Sequence, residues 1–171
     1  MGKAYFYLML LAAVGACHGR GQLGVSLGEG ERHVNNSGSV QWVALPDGSR
    51  IKIGDGTVIV LGRGGRDVDL DGEGMFEVRF SAVRPFVVTT KNLIIQALGT
   101  KFRVDAVRGR AGEEVDLLEG RLRVVKSYHS DSDSLPEQLE AGDMLMINRE
   151  IDLMEKEKMN GEELEKVRVK F

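Results

Sequence analysis

The sequence predicts an all-β domain of about ten short strands, followed by a short charged tail of mixed helix and strand. Three observations carry this prediction. Apolar and polar residues alternate with a period of two, turn sequences recur at intervals of about ten residues, and no long stretch has a helical period. Short, evenly spaced strands fit a sandwich, a barrel or a solenoid-like (β-helix-like) stack, and the regular spacing leans toward stacked turns.

The first residues are predicted to be a secretory signal. Lys3 precedes the apolar run of residues 4–13, which is shorter than the ~20 residues that a membrane-spanning helix needs. Residues 14–17 (V-G-A-C) are similar to a bacterial lipobox, in which Cys17 receives a lipid and becomes the new N-terminus. Ordinary secretory cleavage is the alternative, because Val14 and Ala16 are small enough for it. Cys17 is the only cysteine, which excludes an internal disulfide and favours the lipoprotein interpretation.

Composition narrows the remaining possibilities. The net charge of −3 and the 6% of aromatic residues argue against a basic nucleic-acid surface and against an electrostatic membrane anchor. A lipid would then carry the membrane attachment alone. Residues 1–16 are assigned to the signal, the Gly-, Asn- and Ser-rich residues 17–39 to a tether, residues 40–147 to the β domain and residues 148–171 to the tail.

The strands of residues 40–147 follow from the alternation in chain order. Val40, Trp42 and Ala44 are expected to form the buried face of the first strand, and Pro46-Asp47-Gly48 supplies the turn that follows. Further strands are expected at residues 51–53, 58–61, 68–70, 76–80, 86–88, 93–97, 102–106, 115–118, 122–125 and 145–147. Residues 126–137 interrupt the series as a polar loop.

The tail departs from the period of two. Its charged sequence is compatible with one short helix over residues 152–158, which Asn160-Gly161 would end. Val167, Val169 and Phe171 then alternate like a final strand.

Six segments together resemble the FecR family, whose core is the periplasmic sensing part of bacterial transmembrane regulators of iron uptake. In order they are L-P-D-G-S-R-I-K-I (45–53), L-D-G-E-G-M-F-E-V (70–78), R-P-F-V-V (84–88), L-G-T-K-F-R-V (98–104), V-D-L-L-E-G-R-L-R-V (115–124) and L-E-A-G-D (139–143). The matched residues have structural roles. The glycines supply turns (Gly48, Gly72, Gly99, Gly120, Gly142), and the apolar residues supply the core (Leu45, Leu70, Phe76, Phe86, Phe102, Leu118).

The resemblance implies signalling or binding and no catalysis. Typical members are similar to a three-part machine, in which a cytoplasmic segment binds a sigma factor, one helix crosses the membrane and the β domain lies in the periplasm. Here a signal with a lipobox precedes the domain. The resemblance implies a small α/β module that often follows and meets a TonB-dependent receptor, and we expect this module to be absent or reduced to residues 148–171. We therefore expect the chain to be the sensing or docking half.

Residues for chemistry are sparse. The three histidines (His18, His33, His129) lack the spacing of metal ligands, so neither a metal site nor a cofactor is expected. Asp69, Asp71, Glu73 and Glu77 offer paired carboxylates of the kind that glycosidases use. Alternation places Asp69, Asp71 and Glu73 on the face opposite Val68 and Leu70, so an exposed acidic face explains them. A hydrolase that depends on Asp71 or Glu73 is the third hypothesis.

The leading hypothesis is a non-enzymatic, lipid-anchored envelope protein that binds a partner protein in cell-surface signalling. The partner would be a TonB-dependent receptor or a membrane-spanning regulator, and contact would occur at a strand edge. Lys101, Arg103 and Asp105, or the loop of residues 126–137, are the candidate contact residues, and proline at Arg103 is expected to abolish binding without unfolding the domain. The rival hypothesis is a structural or glycan-binding envelope lipoprotein without a signalling role.

Overall fold

A computed structural model of the chain describes residues 30–130 and 135–170. The predicted signal, Cys17 and the larger part of the predicted tether lie outside these residues. The described part contains thirteen strands and one helix. In chain order they are β1 (Glu31–Val34), β2 (Gln41–Ala44), β3 (Arg50–Ile53), β4 (Val58–Leu61), β5 (Asp67–Glu77), β6 (Phe86–Thr89), β7 (Leu93–Ala97), β8 (Lys101–Ala106), β9 (Glu113–Glu119), β10 (Arg121–Lys126), β11 (Glu137–Glu140), β12 (Asp143–Asn148), β13 (Leu153–Lys158) and α1 (Gly161–Lys170).

The strands form two packed sheets that share one long strand, so the all-β prediction is confirmed. Sheet A has the order β1-β4-β5-β6-β7-β10-β11, and sheet B has the order β2-β3-β5-β8-β9-β12-β13. Both sheets contain β5, which joins them along one side and gives a nearly closed, barrel-like sandwich. The stack of turns that the even spacing favoured is not formed, because every strand pairing except the parallel β5–β6 pairing is antiparallel.

Strand β5 passes from one sheet to the other at Gly72. Its first half pairs with β4 and β6 in sheet A, and its second half pairs with β3 and β8 in sheet B. At the crossing Gly72 has a φ of +126°, and a Cβ there would lie 2.7 Å from the Cα of Thr57. Both the backbone angle and the close approach require glycine. Gly72 thus allows one strand to serve both sheets.

The core fills the space between the sheets. The ring centroids of Phe76 and Phe102 lie 5.0 Å apart in a stacked arrangement, and Phe86 meets Phe76 edge-on at 6.2 Å. Leu45 and Leu70 also belong to this core, as predicted. Leu118 does not, because it packs with Met75 and Val167 in a smaller cluster on the outer face of sheet B.

The domain begins earlier than residue 40, so the predicted tether is too long. Residues 31–34 form β1, which pairs with β4. Asn35 follows and is fully buried, and its amide nitrogen donates to the carbonyl oxygens of Ser39, Ile53 and Gly54 at 2.7–3.0 Å. These bonds fasten the polar segment between β1 and β2 to the sandwich.

The tail contains a strand and a helix in the reverse of the predicted order. Residues 153–158 form β13 on the edge of sheet B, and the helix spans Gly161–Lys170. The oxygen of the Asn160 side chain accepts from the backbone nitrogens of Glu162 and Glu163 at 3.0 Å, and the carboxylate of Glu163 accepts from the backbone nitrogen of Asn160 at 2.8 Å. This reciprocal arrangement is a capping box, so Asn160 begins a helix where the prediction had it end one. No helix in the described residues is long and apolar enough to span a membrane.

The strand registers define two ends of the sandwich. At the entry end, Glu31 pairs with Leu61 beside the turn of residues 62–66, and a Cβ on Gly65 would meet Pro46 in the β2–β3 turn. The loop of residues 78–85 and the turn of residues 98–100 lie at the same end, joined by the backbone bond from Val78 to Thr100. The far end carries the opposite turns, at residues 54–57, 90–92, 107–112 and 149–152.

Candidate partner-binding surfaces

The predicted contact strand, β8, is an interior strand. It pairs with β5 on one side and with β9 on the other, so it offers no free edge to a partner. Lys101 is half-exposed and contacts Glu77 at 3.4 Å, whereas Arg103 and Asp105 are buried. The prediction that these three residues form an exposed contact face is therefore wrong for Arg103 and Asp105. Proline at Arg103 would disrupt the middle of the sheet and unfold the domain.

Arg103 is instead the centre of a buried charge cluster on the outer face of sheet B. Its guanidinium donates to Glu73, Glu114 and Asp116 at 2.6 Å each and to Asp105 at 2.9 Å. Lys170, in the last turn of α1, adds a second cation on Glu73, so the helix covers the cluster. The arrangement joins three strands and the helix by charge-assisted hydrogen bonds.

The cluster perturbs the protonation of its most buried carboxylate. Burial raises the pKa of Asp116 to about 6, with the hydrogen bond from Arg103 opposing that rise and the neighbouring charge of Glu114 adding to it. The pKa of Arg103 is raised because its carboxylate partners outweigh the effect of its burial. The cluster is thus a structural device in which burial holds the pKa of one carboxyl above its ordinary value.

The free edges of the two sheets are β1, β2, β11 and β13, among the described strands. Three of them carry charged side chains, which protect exposed edges against unwanted pairing: Glu31 and Arg32 in β1, Glu137 and Glu140 in β11, and Glu155, Lys156, Glu157 and Lys158 in β13. Strand β2 has the sequence Q-W-V-A and carries no charge. It is therefore the edge most open to pairing with another strand.

The one tryptophan of the chain lies on this uncharged edge. Val43 packs against the core, so Trp42 points outward with 49% of its surface exposed, the reverse of the predicted phase. The guanidinium of Arg50 lies 4.7 Å from the ring centroid and the ammonium of Lys52 lies 4.6 Å from it. Both cations come from the neighbouring strand β3 and hold the ring in place. We call Val40, Trp42, Arg50 and Lys52 the tryptophan edge.

The tryptophan edge has the composition of a protein-binding surface. Exposed tryptophan and arginine are the residues most enriched where partners contribute binding energy. Arg50 is already paired with Glu77, but Lys52 has no carboxylate within ion-pair distance in the described residues. An extended peptide could pair with the β2 backbone and place an acidic side chain beside Lys52. The uncharged sequence Q-W-V-A was the signal that could have revealed this edge. The prediction placed Trp42 on the buried face of the strand and therefore missed it.

The far end contains two shallow grooves that meet at residues 110–113. The larger has a volume of about 920 Å³ and is lined by Asp69, Asp71, Thr90, Asn92 and Arg108, with Glu113 at the junction. Glu113 is buried beside Thr90 and accepts a hydrogen bond from Asn92 at 3.0 Å, and its burial raises its pKa. The smaller has a volume of about 410 Å³ and exposes Met146, Ile151 and Leu153.

The carboxylates of the hydrolase hypothesis are occupied in ion pairs. Arg108 contacts Asp71 at 2.6 Å, and Glu73 holds Arg103 and Lys170. Both therefore serve as ion-pair partners of basic residues. No group of three or more potential ligands is arranged to hold a metal ion within residues 30–130 and 135–170.

Comparisons with known proteins place the chain in a family. The family model described as FecR protein matches residues 18–132. Two crystal structures of a candidate anti-sigma factor from Parabacteroides distasonis ATCC 8503, at 1.65 and 2.50 Å resolution, superpose with TM-scores of 0.69 and 0.68 at 24% and 23% identity.

The structural match covers 77% of this chain and 61% of the Parabacteroides protein, so the chain spans less than two thirds of that protein's length. At this identity the match shows a shared fold. A comparison with curated proteins found no match. The family model covers well over half of the sequence, including most of the sandwich, and the chain therefore belongs to the FecR family.

Proposed function

We propose that this protein is a non-enzymatic, lipid-anchored docking module of bacterial cell-surface signalling. Its partner would be a TonB-dependent receptor or a membrane-spanning regulator of iron uptake. Family membership supports the signalling role, and the fold shared with a candidate anti-sigma factor agrees with it. The lipobox-like sequence at Cys17 supports anchoring in the cell envelope.

The tryptophan edge is the observation that carries the docking role. An uncharged edge strand with a half-exposed tryptophan is costly to leave open, because it invites aggregation. A protein gains from such an edge when a partner strand covers it. Burying the remaining tryptophan surface and completing a backbone ladder are the contributions that make strand addition specific and tight.

The test is a pair of matched truncations at two sheet edges. Trp42→Ala removes the aromatic anchor of β2, whereas Leu153→Ala removes a comparably exposed apolar side chain from β13. In the native bacterium, genes controlled by the partner sigma factor are measured in a deletion strain complemented with each form. We expect Trp42→Ala to behave like the deletion and Leu153→Ala like the natural protein.

Crosslinked pull-downs from whole envelopes supply the biochemical readout. The lipidated chain is expected to recover one receptor or regulator, and Trp42→Ala is expected to reduce that recovery at least tenfold. Recovery should also weaken for Cys17→Ala, which lacks the anchor. Equal recovery by Trp42→Ala and the natural chain would contradict docking at this edge.

The polar groove at the far end favours a second candidate function, glycan binding without signalling. Thr90, Asn92 and Arg108 line that groove with hydrogen-bonding groups of the kind that sugars need. Co-sedimentation with purified peptidoglycan tests it. Loss of co-sedimentation in Asn92→Ala, with unchanged transcription in the bacterium, would favour this candidate over the first.

A further inference from the structure

Three exposed apolar side chains form one patch at the entry end. Val83 has 95% of its surface exposed, Phe80 has 71% and Leu98 has 50%. The backbone nitrogen of Ser81 donates to the carbonyl oxygen of Leu98 at 2.8 Å, and a Cβ on Gly99 would lie 2.9 Å from the Cα of Phe80. The two loops are therefore packed together, and they carry all three of these exposed apolar side chains.

Three arginines lie on the loops and turns next to this patch. Arg84 pairs with Asp67 and donates to the carbonyl oxygen of Arg63 at 3.2 Å, which brings Arg63 beside the tip. Arg63 and Arg79, which precedes Phe80 in the chain, have no carboxylate within ion-pair distance in the described residues. Two uncompensated cations beside protruding apolar residues match a surface with phosphate groups above acyl chains.

The chain enters the sandwich at this same end. A Cβ on Gly30 would lie 2.3 Å from the carbonyl oxygen of Leu61, and Leu61 leads directly into the turn that contains Arg63. Cys17 lies thirteen residues before Gly30. Thirteen residues span at most about 45 Å, so an anchor at Cys17 would keep the entry end close to the bilayer.

We propose that the entry end is a membrane-contact surface for anionic phospholipid. Val83, Phe80 and Leu98 enter the headgroup region, and Arg63 and Arg79 contact lipid phosphates. The orientation rests on the proposed lipid anchor, but the lipid contact itself does not. In this orientation the far end points away from the bilayer, and the tryptophan edge lies on the side of the sandwich. Both are then accessible to a partner.

The lipid contact is tested first without the anchor. The chain from residue 17 with Cys17→Ser is mixed with vesicles of 70% phosphatidylcholine and 30% phosphatidylglycerol, and the bound fraction is measured by flotation. Val83→Ser with Phe80→Ser should lower the partition coefficient at least tenfold, and Arg63→Gln with Arg79→Gln should lower it by about fivefold for each arginine. Ile151→Ser, at an exposed apolar position of the far end, is the matched control and should change nothing.

The orientation is tested with the lipidated chain in the same vesicles. An environment-sensitive fluorophore is attached to Val83→Cys or, at the far end, to Ala111→Cys, and quenching by lipids with brominated acyl chains is recorded. We expect quenching at position 83 and none at position 111. Equal quenching at both positions, or no vesicle binding by the unanchored chain at any salt concentration, would overturn the proposal.

Failure of the anchor would give a different result. If Cys17 carries no lipid, the mass of the chain purified from membranes will show this, and the lipoprotein part of the proposed function will be refuted. The flotation of the unanchored chain would still decide the lipid contact. If these loops bind a protein partner and not lipid, the chain will not bind vesicles of pure lipid. That result would also overturn the proposal.

Discussion

Replacing Arg103 with methionine is expected to destabilise the domain by about 3–5 kcal/mol at pH 7. The substitution keeps much of the side-chain volume but removes the cation that four carboxylates contact at 2.6–2.9 Å. Asp116 would remain buried without its cation, and an uncompensated buried charge carries a cost of this size. Asp105 keeps its ion pair with Arg110. Lys170 can relieve only Glu73.

Urea unfolding followed by far-ultraviolet circular dichroism measures the effect. The matched control is Lys101→Met on the same strand, because Lys101 is half-exposed and has a single ion pair at 3.4 Å, which contributes at most about 1 kcal/mol. Arg103→Lys keeps a charge without the fork of donors and should fall between the two. It also preserves the test if the methionine variant does not fold.

The destabilisation should shrink as the pH falls. Without Arg103, the folded-state pKa of Asp116 would rise further above the unfolded value, so stability is lost as the pH rises and is recovered as protonation removes the buried charge. We expect the deficit of Arg103→Met to be clearly smaller at pH 5 than at pH 7. A deficit below 1 kcal/mol at pH 7, or one that is equal at both values, would refute the account of the cluster.

Three further predictions concern single residues. In the natural chain the folded pKa of Asp116, about 6, exceeds the unfolded value of about 3.9, so this group lowers stability as the pH rises from 4 to 6. Asp116→Asn should therefore flatten the plot of urea midpoint against pH over that range. An unchanged plot would count against the assignment. Gly72→Ala should cost about 3 kcal/mol or more and Gly56→Ala only about 1 kcal/mol, since both have positive φ but the region around Gly56 is open; equal thermal shifts would contradict the crossing geometry. Asn160→Ala should cost about 1 kcal/mol through loss of the cap and speed hydrogen exchange in α1, and unchanged exchange would mean that packing alone holds the helix.

The interior of the fold could be predicted from the sequence because the two faces of its strands differ. Phe102 and Val104 face the core, and the alternation identified them correctly. Whether the opposite face of a strand is exposed or covered could not be predicted in the same way. Arg103 is buried because a helix more than fifty residues downstream covers it, and no local pattern contains that information.

The errors at the edges have a similar cause. Trp42 in β2 and Val40 just before it are both exposed, so the rule that apolar residues point inward gave the wrong phase. Strand β1 has a charged sequence, E-R-H-V, and its place in the sheet depends on pairing with β4 and on the buried amide of Asn35. Such long-range bonds leave no periodic signal.

The helix of the tail was predicted in the wrong place because one dipeptide is compatible with both ends of a helix. Asn160-Gly161 suits the end of a helix or its beginning, and the glutamate three residues after Asn160 distinguishes the two through the capping box. The sequence of β13, L-M-E-K-E-K, has no alternation of apolar and charged residues, so periodicity does not indicate a strand there. Its partner strand β12 decides the matter in the structure.

Photocrosslinking at the tryptophan edge tests the central claim most directly. A photoreactive phenylalanine analogue replaces Trp42 or, as the control on another edge, Leu153, and intact cells are irradiated before the adducts are identified by mass spectrometry. We expect an adduct with one envelope receptor or regulator from position 42 and none from position 153. Adducts of equal yield from both positions, or adducts with cell-wall fragments alone, would contradict docking through β2.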